Sequence, residues 1–386
     1  MVKKYDIAII GAGASGLMAA GVALGRHKSV AVLDMGNRPA RKVMVSGGGN
    51  CNITNTNANY TRYFGKNNDF VRSALKQFSP FDILDWATQH NIKTYEKTPG
   101  QYFCTDGAAV VVNALSKDAT AADFFWGTSV IDVTHNNGEF QIITNTQNIS
   151  ATSVIVATGG ISFANLGVSD IGYKIAKNFG HKIIPVRPGL CALAITGAVS
   201  EFSGISLDGE ITIGKNKIRD SLLLTHFGIG GPLAYRASLY DLDDGIKIKL
   251  IPQIDIYKIL IDTKRTDGRK KLTTVLSEYL PARIVKYFIN ADTRNIADIK
   301  DTDLHAIANR IQNIYISGDK IKRHTLASAE VVRGGVSTDD VSSKTMESKL
   351  CRGLFFAGEV MDVTGDLGGF NLQWAWSSGF VAGNNA

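Results

Sequence analysis

The residues near the start of the chain that could do chemistry are three glycines and one acid. Residues 11–16 read GAGASG, between a short apolar run, DIAII (6–10), and a segment with helical spacing, ASGLMAAGVALGR (14–26). Each glycine has a reason to be there. Gly11 permits a tight turn, Gly13 lets backbone approach a pyrophosphate, and Gly16 lets the helix pack closely on the strand. The helix start at Ala14, Ser15 and Gly16 offers unpaired N–H groups and a positive dipole end to phosphate. Asp34 closes the next apolar run, SVAVLD (29–34), where a carboxylate suits ribose hydroxyls and repels a 2′-phosphate. Together these residues predict a dinucleotide site on a βαβ unit.

A second bare stretch follows soon after, RKVMVSGGGNCNITN (41–55). A nicotinamide dehydrogenase has no need of it, whereas FAD lies extended and runs along a second length of backbone. Gly47, Gly48 and Gly49 would let amides and carbonyls meet such a cofactor without Cβ interference. Arg41 and Lys42 can balance phosphate charge. The far end of the chain, GLFFAGEVMDVTGDLGGFNLQWAWSSG (353–379), joins a buried strand to an acid, then a Gly-Gly pair, then an apolar helix. The acid suits a ribityl hydroxyl. A helix start at 369–373 suits negative charge at the N1/O2 edge of a reduced flavin, which is redox chemistry rather than storage.

The elements that must position these residues alternate strand and helix at first. Residues 69–90 read as a helix, and 127–157 as strands with an Asn-Asn-Gly turn typical of a hairpin. SVIVATGG (153–160) and GLFFAGEV (353–360) read as buried strands ending in glycine turns. Near 186–195 prolines appear and short strands follow to about 253. Residues 255–314 are helical and charged, and the first pattern returns near 327. The chain has 386 residues, 44% of them hydrophobic and 20% charged, as in ordinary globular domains. Lysines at the start, followed by four apolar residues and a glycine turn, do not make a signal peptide, and no apolar run approaches the ~20 residues of a membrane span. A cytoplasmic protein is expected. Four scattered cysteines without a CxxC pair argue against a zinc site, a disulfide framework or a dithiol centre. The net charge is +7, with basic residues bunched in DTKRTDGRKK (262–271) and GDKIKRH (318–324), read as solvated faces.

Five stretches spanning nearly the whole chain carry a resemblance: IIGAGASGLMAA, RKVMVSGGGNCNITN, LLLTHFGIGGP (222–232), VVRGGVSTDDVSSKTMESK (331–349) and the 353–379 segment. The chain resembles the flavoprotein family of aminoacetone oxidase-like and BaiN-type NAD(P)/FAD-dependent oxidoreductases. The resemblance implies an α/β fold, with a Rossmann-like FAD domain of glutathione-reductase type (1–189 and 327–386), an inserted β-barrel-like domain (190–254 and 315–326) and a small helical subdomain (255–314). It implies FAD contacts from Gly11, Gly13, Ala14, Ser15, Gly16, Asp34, Arg41, Lys42, Ser46, Gly47, Gly48, Gly49, Asn50 and Asn52. It also implies contacts from the Val130 backbone, Thr158, Gly159, Gly358, Glu359, Gly369, Phe370, Asn371 and Leu372. The sequence departs from the family pattern at Ala40, where glycine is usual, at Asn50, where a large residue is usual, and at Gly230, where serine is usual.

Hydride transfer to or from flavin N5 needs little beyond positioning, so catalytic side chains are few. Candidates for proton transfer are His226, in LLLTHFGIGGP, Tyr102 and Cys51, with His226 the one carried forward; Tyr102 reads as a core or rim residue in a loop-like stretch, and Cys51 has no partner thiol nearby in sequence. Arg333, beside Gly334-Gly335, suits a carboxylate or a structural ion pair. A second G-x-G-x-x-G is missing from ATGGISFANLG (157–167), so NADH or NADPH is expected only as a transient reductant. The expected activity is an FAD-dependent oxidoreductase of a small organic substrate, with neither nucleic acid nor membrane as partner and no bound metal. The alternatives are a flavoenzyme of RNA modification, prompted by the basic clusters, and a non-enzymatic FAD-binding protein. Substrate and oligomeric state are not legible.

Overall fold

The computed structural model describes residues 3–163, 166–289 and 292–386. The chain divides into two compact units, Met1–Pro188 with Leu326–Ala386, and Gly189–Thr325.

The first unit is built on a seven-stranded sheet. Across it run Asp123–Trp126, Val30–Asp34, Lys4–Ile10, Asn148–Val156, Glu139–Thr144 and Val130–Asn136, with Leu354–Phe356 as the seventh strand. Strand Asn148–Val156 divides one of its edges. Its first half pairs antiparallel with Glu139–Thr144, and its second half pairs parallel with Leu354–Phe356. The hairpin turns through Asn137 and Gly138, both at positive φ (52° and 80°), as a two-residue turn between right-twisted strands requires. The parallel strands are apolar on both faces because helices cover both; Ile7, Ile9, Val32 and Val154 are fully buried. Their ends at Ile10, Val156 and Phe356 lie side by side, so the loops that follow all open at one edge.

Helix Ala14–Gly25 packs against the terminal helix, Phe370–Asn385, and glycines set how closely. A Cβ on Gly379 would lie 2.4 Å from the Ser15 carbonyl oxygen, and one on Gly383 would lie 2.5 Å from that of Ala19. The single helix expected over 69–90 is two, Arg72–Gln77 and Pro80–Gln89. Ser79 breaks it: its hydroxyl and the Asp82 carboxylate cap the second helix reciprocally, with Pro80 in the first turn.

The second unit is a seven-stranded antiparallel sheet. Its order is Ile314–Ile316, Ile246–Leu250, Ser206–Ile213, Asn216–Thr225, Gly228–Gly230, Leu193–Ile195 and Ile321–Arg323. Helices Ile256–Thr266, Leu272–Ser277, Ala282–Ile289 and Asp301–Gln312 share one apolar cluster with its inner face, where Ile211 and Ile248 join Leu260, Val275 and Leu304. No helix among the described residues is long and apolar enough to cross a membrane.

Candidate functional site

The turn after the first strand is tight. Gly11 has φ +108° and donates its N–H to the Leu33 carbonyl (2.8 Å); a Cβ there would lie 2.5 Å from the Ala157 oxygen. A Cβ on Gly16 would lie 1.9 Å from the Gly11 oxygen, so this glycine lets the helix sit on the turn. Gly13 differs from both. Its backbone is extended (φ −81°), and nothing lies within 4 Å of where a Cβ would be. It caps the helix with no side-chain hydrogen bond, which leaves the N–H groups at Ala14 and Ser15 without a capping side chain. Ser15 is buried and donates to the Ala357 carbonyl (3.4 Å).

Asp34 accepts hydrogen bonds from the N–H groups of Ala12 (2.8 Å) and Gly36 (2.7 Å), and Arg41 lies 3.4 Å away. Two backbone donors leave room on a carboxylate for further hydroxyls. Arg41 also donates to the Gly167 carbonyl (3.1 Å). Lys42 reaches Glu359 at 2.7 Å and the Ser162 hydroxyl at 2.9 Å. Both cations expected to face phosphate therefore stand beside carboxylates in this structure. Glu359 also accepts from the N–H groups of Val332 (3.0 Å) and Gly160 (3.3 Å).

Residues Ser46–Gly49 form one short turn in which Gly47, Gly48 and Gly49 all have positive φ (57°, 67° and 90°). No atom lies within 4 Å of a Cβ built on Gly48 or Gly49, whereas Gly47 backs onto Phe103 and the Asn52 backbone. Ser46 donates to the Val43 carbonyl (2.7 Å), and the exposed Asn50 turns the chain into strand Asn52–Asn55. Ala40, just before Arg41, is left-handed at φ 47°. That explains why glycine suits this position.

The last segment closes the ring. Gly369 (φ 94°) starts the terminal helix with no side-chain cap, against Thr54 and Asn52. The Asn52 amide lies between the Tyr102 carbonyl (3.2 Å) and the Gly369 N–H (3.1 Å), in the orientation that satisfies both. Asn371 bonds both backbone groups of Gly365 (2.8 and 3.0 Å), and Phe370 is buried, while Leu372 is partly exposed. Gly358 (φ 76°) sits against Ser15, where a Cβ would meet the hydroxyl at 2.5 Å. Thr158 and Gly159 (φ 71°) follow the central strand, and Val130 opens the hairpin beside Gly127 and Thr128, whose N–H groups reach Gly36 and Asp34. Glycine-rich stretches far apart in sequence therefore meet at one edge of the sheet, tied by Ala40 to Ala12 (2.8 Å), Lys42 to Glu359, Ser15 to Ala357 and Asn52 to Gly369.

Two readings of single residues change. Tyr102 is in strand Gln101–Cys104, not a loop. Cys51 does have a neighbouring thiol: Cys104, also buried, donates its N–H to the carbonyls of Asn50 (3.0 Å) and Cys51 (3.3 Å). The neighbouring Cys104 thiol and burial push the Cys51 thiol well up, while Cys51 pulls Cys104 down. The residue that sequence reasoning missed is Ser162, which joins Lys42 to Glu359; its one signal is its place just after Gly159-Gly160. His226 lies in the second unit, on the exposed turn between Asn216–Thr225 and Gly228–Gly230, with its ring edge-on to Phe227 (5.0 Å, 88°). Arg333 lies over the Phe64 ring at 5.8 Å.

The arrangement fits FAD on its own terms. It offers bare backbone at Gly13, Gly48 and Gly49, uncapped starts on two helices, and carboxylates at two strand ends. Residues 5–385 match the family model described as HI0933-like protein Rossmann domain. The chain belongs to the HI0933-like family. It is a family of FAD-dependent oxidoreductases with a Rossmann-type domain. Within that family, the chain is 36% identical to the ribosomal RNA dihydrouridine synthase of Haemophilus influenzae, over 99% of this chain and 98% of that protein. It is 34% identical to the protein of the same name from Escherichia coli, over 98% and 97%. It is 26% identical to the 3-dehydro-bile acid delta(4,6)-reductase of Clostridium scindens, over 98% of each.

Proposed function

We propose that this HI0933-like oxidoreductase adds hydride to a carbon–carbon double bond conjugated to a carbonyl, and that its substrate is a uracil in ribosomal RNA. The observation that carries the reading is the near full-length likeness, at 34% and 36% identity, to two proteins named for making dihydrouridine in ribosomal RNA. The bile-acid relative supports the reaction class, because a 3-keto group conjugated to a delta-4,6 diene presents the same bond pattern as the C5=C6 bond of uracil beside its C4 carbonyl. That relative also favours a second reading, a small conjugated ketone as substrate.

When bound, FAD supplies the hydride. The chain's own residues do the rest. In this proposal the Gly13 backbone and the helix start at Ala14–Gly16 hold the diphosphate, and Asp34 holds the ribose, with Val130 beside the adenine end. The open backbone of Gly48 and Gly49, with Ser46, Asn50 and Asn52, lies along the cofactor on the other side. Glu359, with Thr158, Gly159 and Gly358 beside it, takes a ribityl hydroxyl. Lys42 and Arg41 offset phosphate charge. The helix start from Gly369 through Leu372 stabilises negative charge on the ring edge. His226 is the proposed proton carrier, and NADH or NADPH the proposed electron donor. The test is to incubate the holoprotein with deproteinised ribosomal RNA and NADPH, digest to nucleosides, and search by mass spectrometry for uridine that has gained two hydrogens. Its appearance supports the reading. RNA left unchanged while a conjugated ketone is reduced favours the second.

A further inference from the structure

The outer face of the second unit's sheet has a composition that oxidoreductase chemistry does not explain. Cross-strand register places Lys217, Thr212, Lys247 and Tyr315 in one row across four strands. The next row is Arg219, Glu210 and Lys249, and Lys215 stands at the hairpin tip. Residues paired directly across an antiparallel sheet point to the same side. The alternate positions, Ile211, Ile218, Ile246 and Ile248, form the buried face, so the rows of cations face outward. Lys215, Lys217, Arg219 and Lys247 are exposed. Glu210, the one acid within these two rows, is buried and bonded to Arg219 (2.5 Å); Asp208 lies one row further along. Among these cations Tyr315 is 59% exposed, with its hydroxyl donating to the Asp244 carbonyl (3.1 Å). A solvated face has no need of a large ring held by its far end.

We propose that this face is an RNA-binding platform, on which the cations track phosphates and the Tyr315 ring stacks an unpaired base. Bases stack on aromatic side chains of sheets whatever their identity, and phosphate contacts add affinity that salt weakens. This inference rests on the proposed RNA substrate. It assigns to this outer face a role in holding that substrate, apart from the redox step.

The experiment measures binding of deproteinised ribosomal RNA to the FAD-loaded protein across a salt series. Four variants are compared: the triple Lys215→Ala/Lys217→Ala/Lys247→Ala, Tyr315→Ala, Tyr315→Phe, and a control triple at exposed lysines of the first unit, Lys76→Ala/Lys93→Ala/Lys177→Ala. The face triple is expected to bind on the order of ten- to hundred-fold more weakly, with a salt slope shallower by about 2–3. Tyr315→Ala is expected to lose roughly five- to hundred-fold at unchanged slope, and Tyr315→Phe to bind as wild type. Flavin absorbance and melting temperature should match wild type in all four. Face variants that bind no worse than the control triple would overturn the platform. If wild type still reduces RNA in that case, the proposed function stands and only the surface assignment falls. A wild-type protein that binds no ribosomal RNA at any salt concentration would overturn both.

Discussion

Gly13→Ala separates what the fold needs from what a cofactor needs. The backbone at Gly13 is extended, with φ −81°, and a Cβ built there meets nothing within 4 Å. The folded chain therefore bears no strain from the methyl group. The unfolded chain loses freedom, so the apoprotein should gain about 0.4–1 kcal/mol, a rise in melting temperature of about 0.5–1 °C. If the space above Gly13 is where a diphosphate approaches, the methyl group displaces it from the N–H groups at Ala14 and Ser15. Losing two hydrogen bonds to a charged group, at about 1.5–3 kcal/mol each, costs about 3–6 kcal/mol, or about 10²–10⁴ in FAD affinity. The assay is FAD titration of apoprotein by flavin fluorescence quenching, beside a thermal melt. The reasoning fails if Gly13→Ala binds FAD within threefold of wild type, or if its apoprotein melts several degrees lower. Gly11→Ala makes the contrast. With φ +108° and a Cβ 2.5 Å from the Ala157 oxygen, it should lose stability and FAD together.

Ala40→Gly should stabilise the protein by about 1 kcal/mol, because a left-handed alanine costs about 1–2 kcal/mol that glycine does not; urea denaturation reads it, and a loss of stability would show that φ 47° carries no strain. His181 is buried, with one ring nitrogen 2.7 Å from the Ser348 hydroxyl and its ring edge-on to Phe356, and desolvation holds its pKa below the usual value. Its neutral form favours folding, so the stability it contributes is complete above about pH 6.5 and falls as the pH drops below that; His181→Asn should flatten the slope between pH 7.5 and 5.5, and an unchanged slope would assign it to other groups. Cys51 and Cys104, neighbours across paired strands, should join in one intramolecular disulfide under diamide, with Cys191 and Cys351 left free. Peptide mapping reads this, and a mixed pattern of disulfides would refute it.

What was legible in the sequence was local. Apolar runs such as DIAII and SVIVA must be buried on both faces, which announces parallel strands. The Asn-Gly pair at 137–138 accepts two positive φ values in succession, which announces the hairpin. The tightness of the turn at Gly11 and the close helix at Gly16 follow from glycine placement alone. What was hidden depends on partners far along the chain. Cys104 meets Cys51 only because strand Gln101–Cys104 folds back onto Asn52–Asn55, and nothing within a few residues of Cys51 indicates it. Ser162 joins Lys42 and Glu359 across separations of 120 and 197 residues. The break at Phe78–Ser79 was written in the sequence as Ser-Pro followed by Asp82, but the apolar periodicity on both sides masked it. The outer face of the second sheet emerges only from register, since Lys217, Lys247 and Tyr315 lie on three separate strands.

The most direct test of the central claim is a single-turnover reaction without air. The FAD-loaded protein is reduced by light, freed of excess donor, and mixed with deproteinised ribosomal RNA while the oxidised-flavin band is followed. The band should return, with one dihydrouridine formed for each flavin reoxidised, and RNA already saturated with dihydrouridine at the target should leave the flavin reduced. A flavin that stays reduced with unmodified RNA, yet is reoxidised at once by a small conjugated ketone, would contradict it.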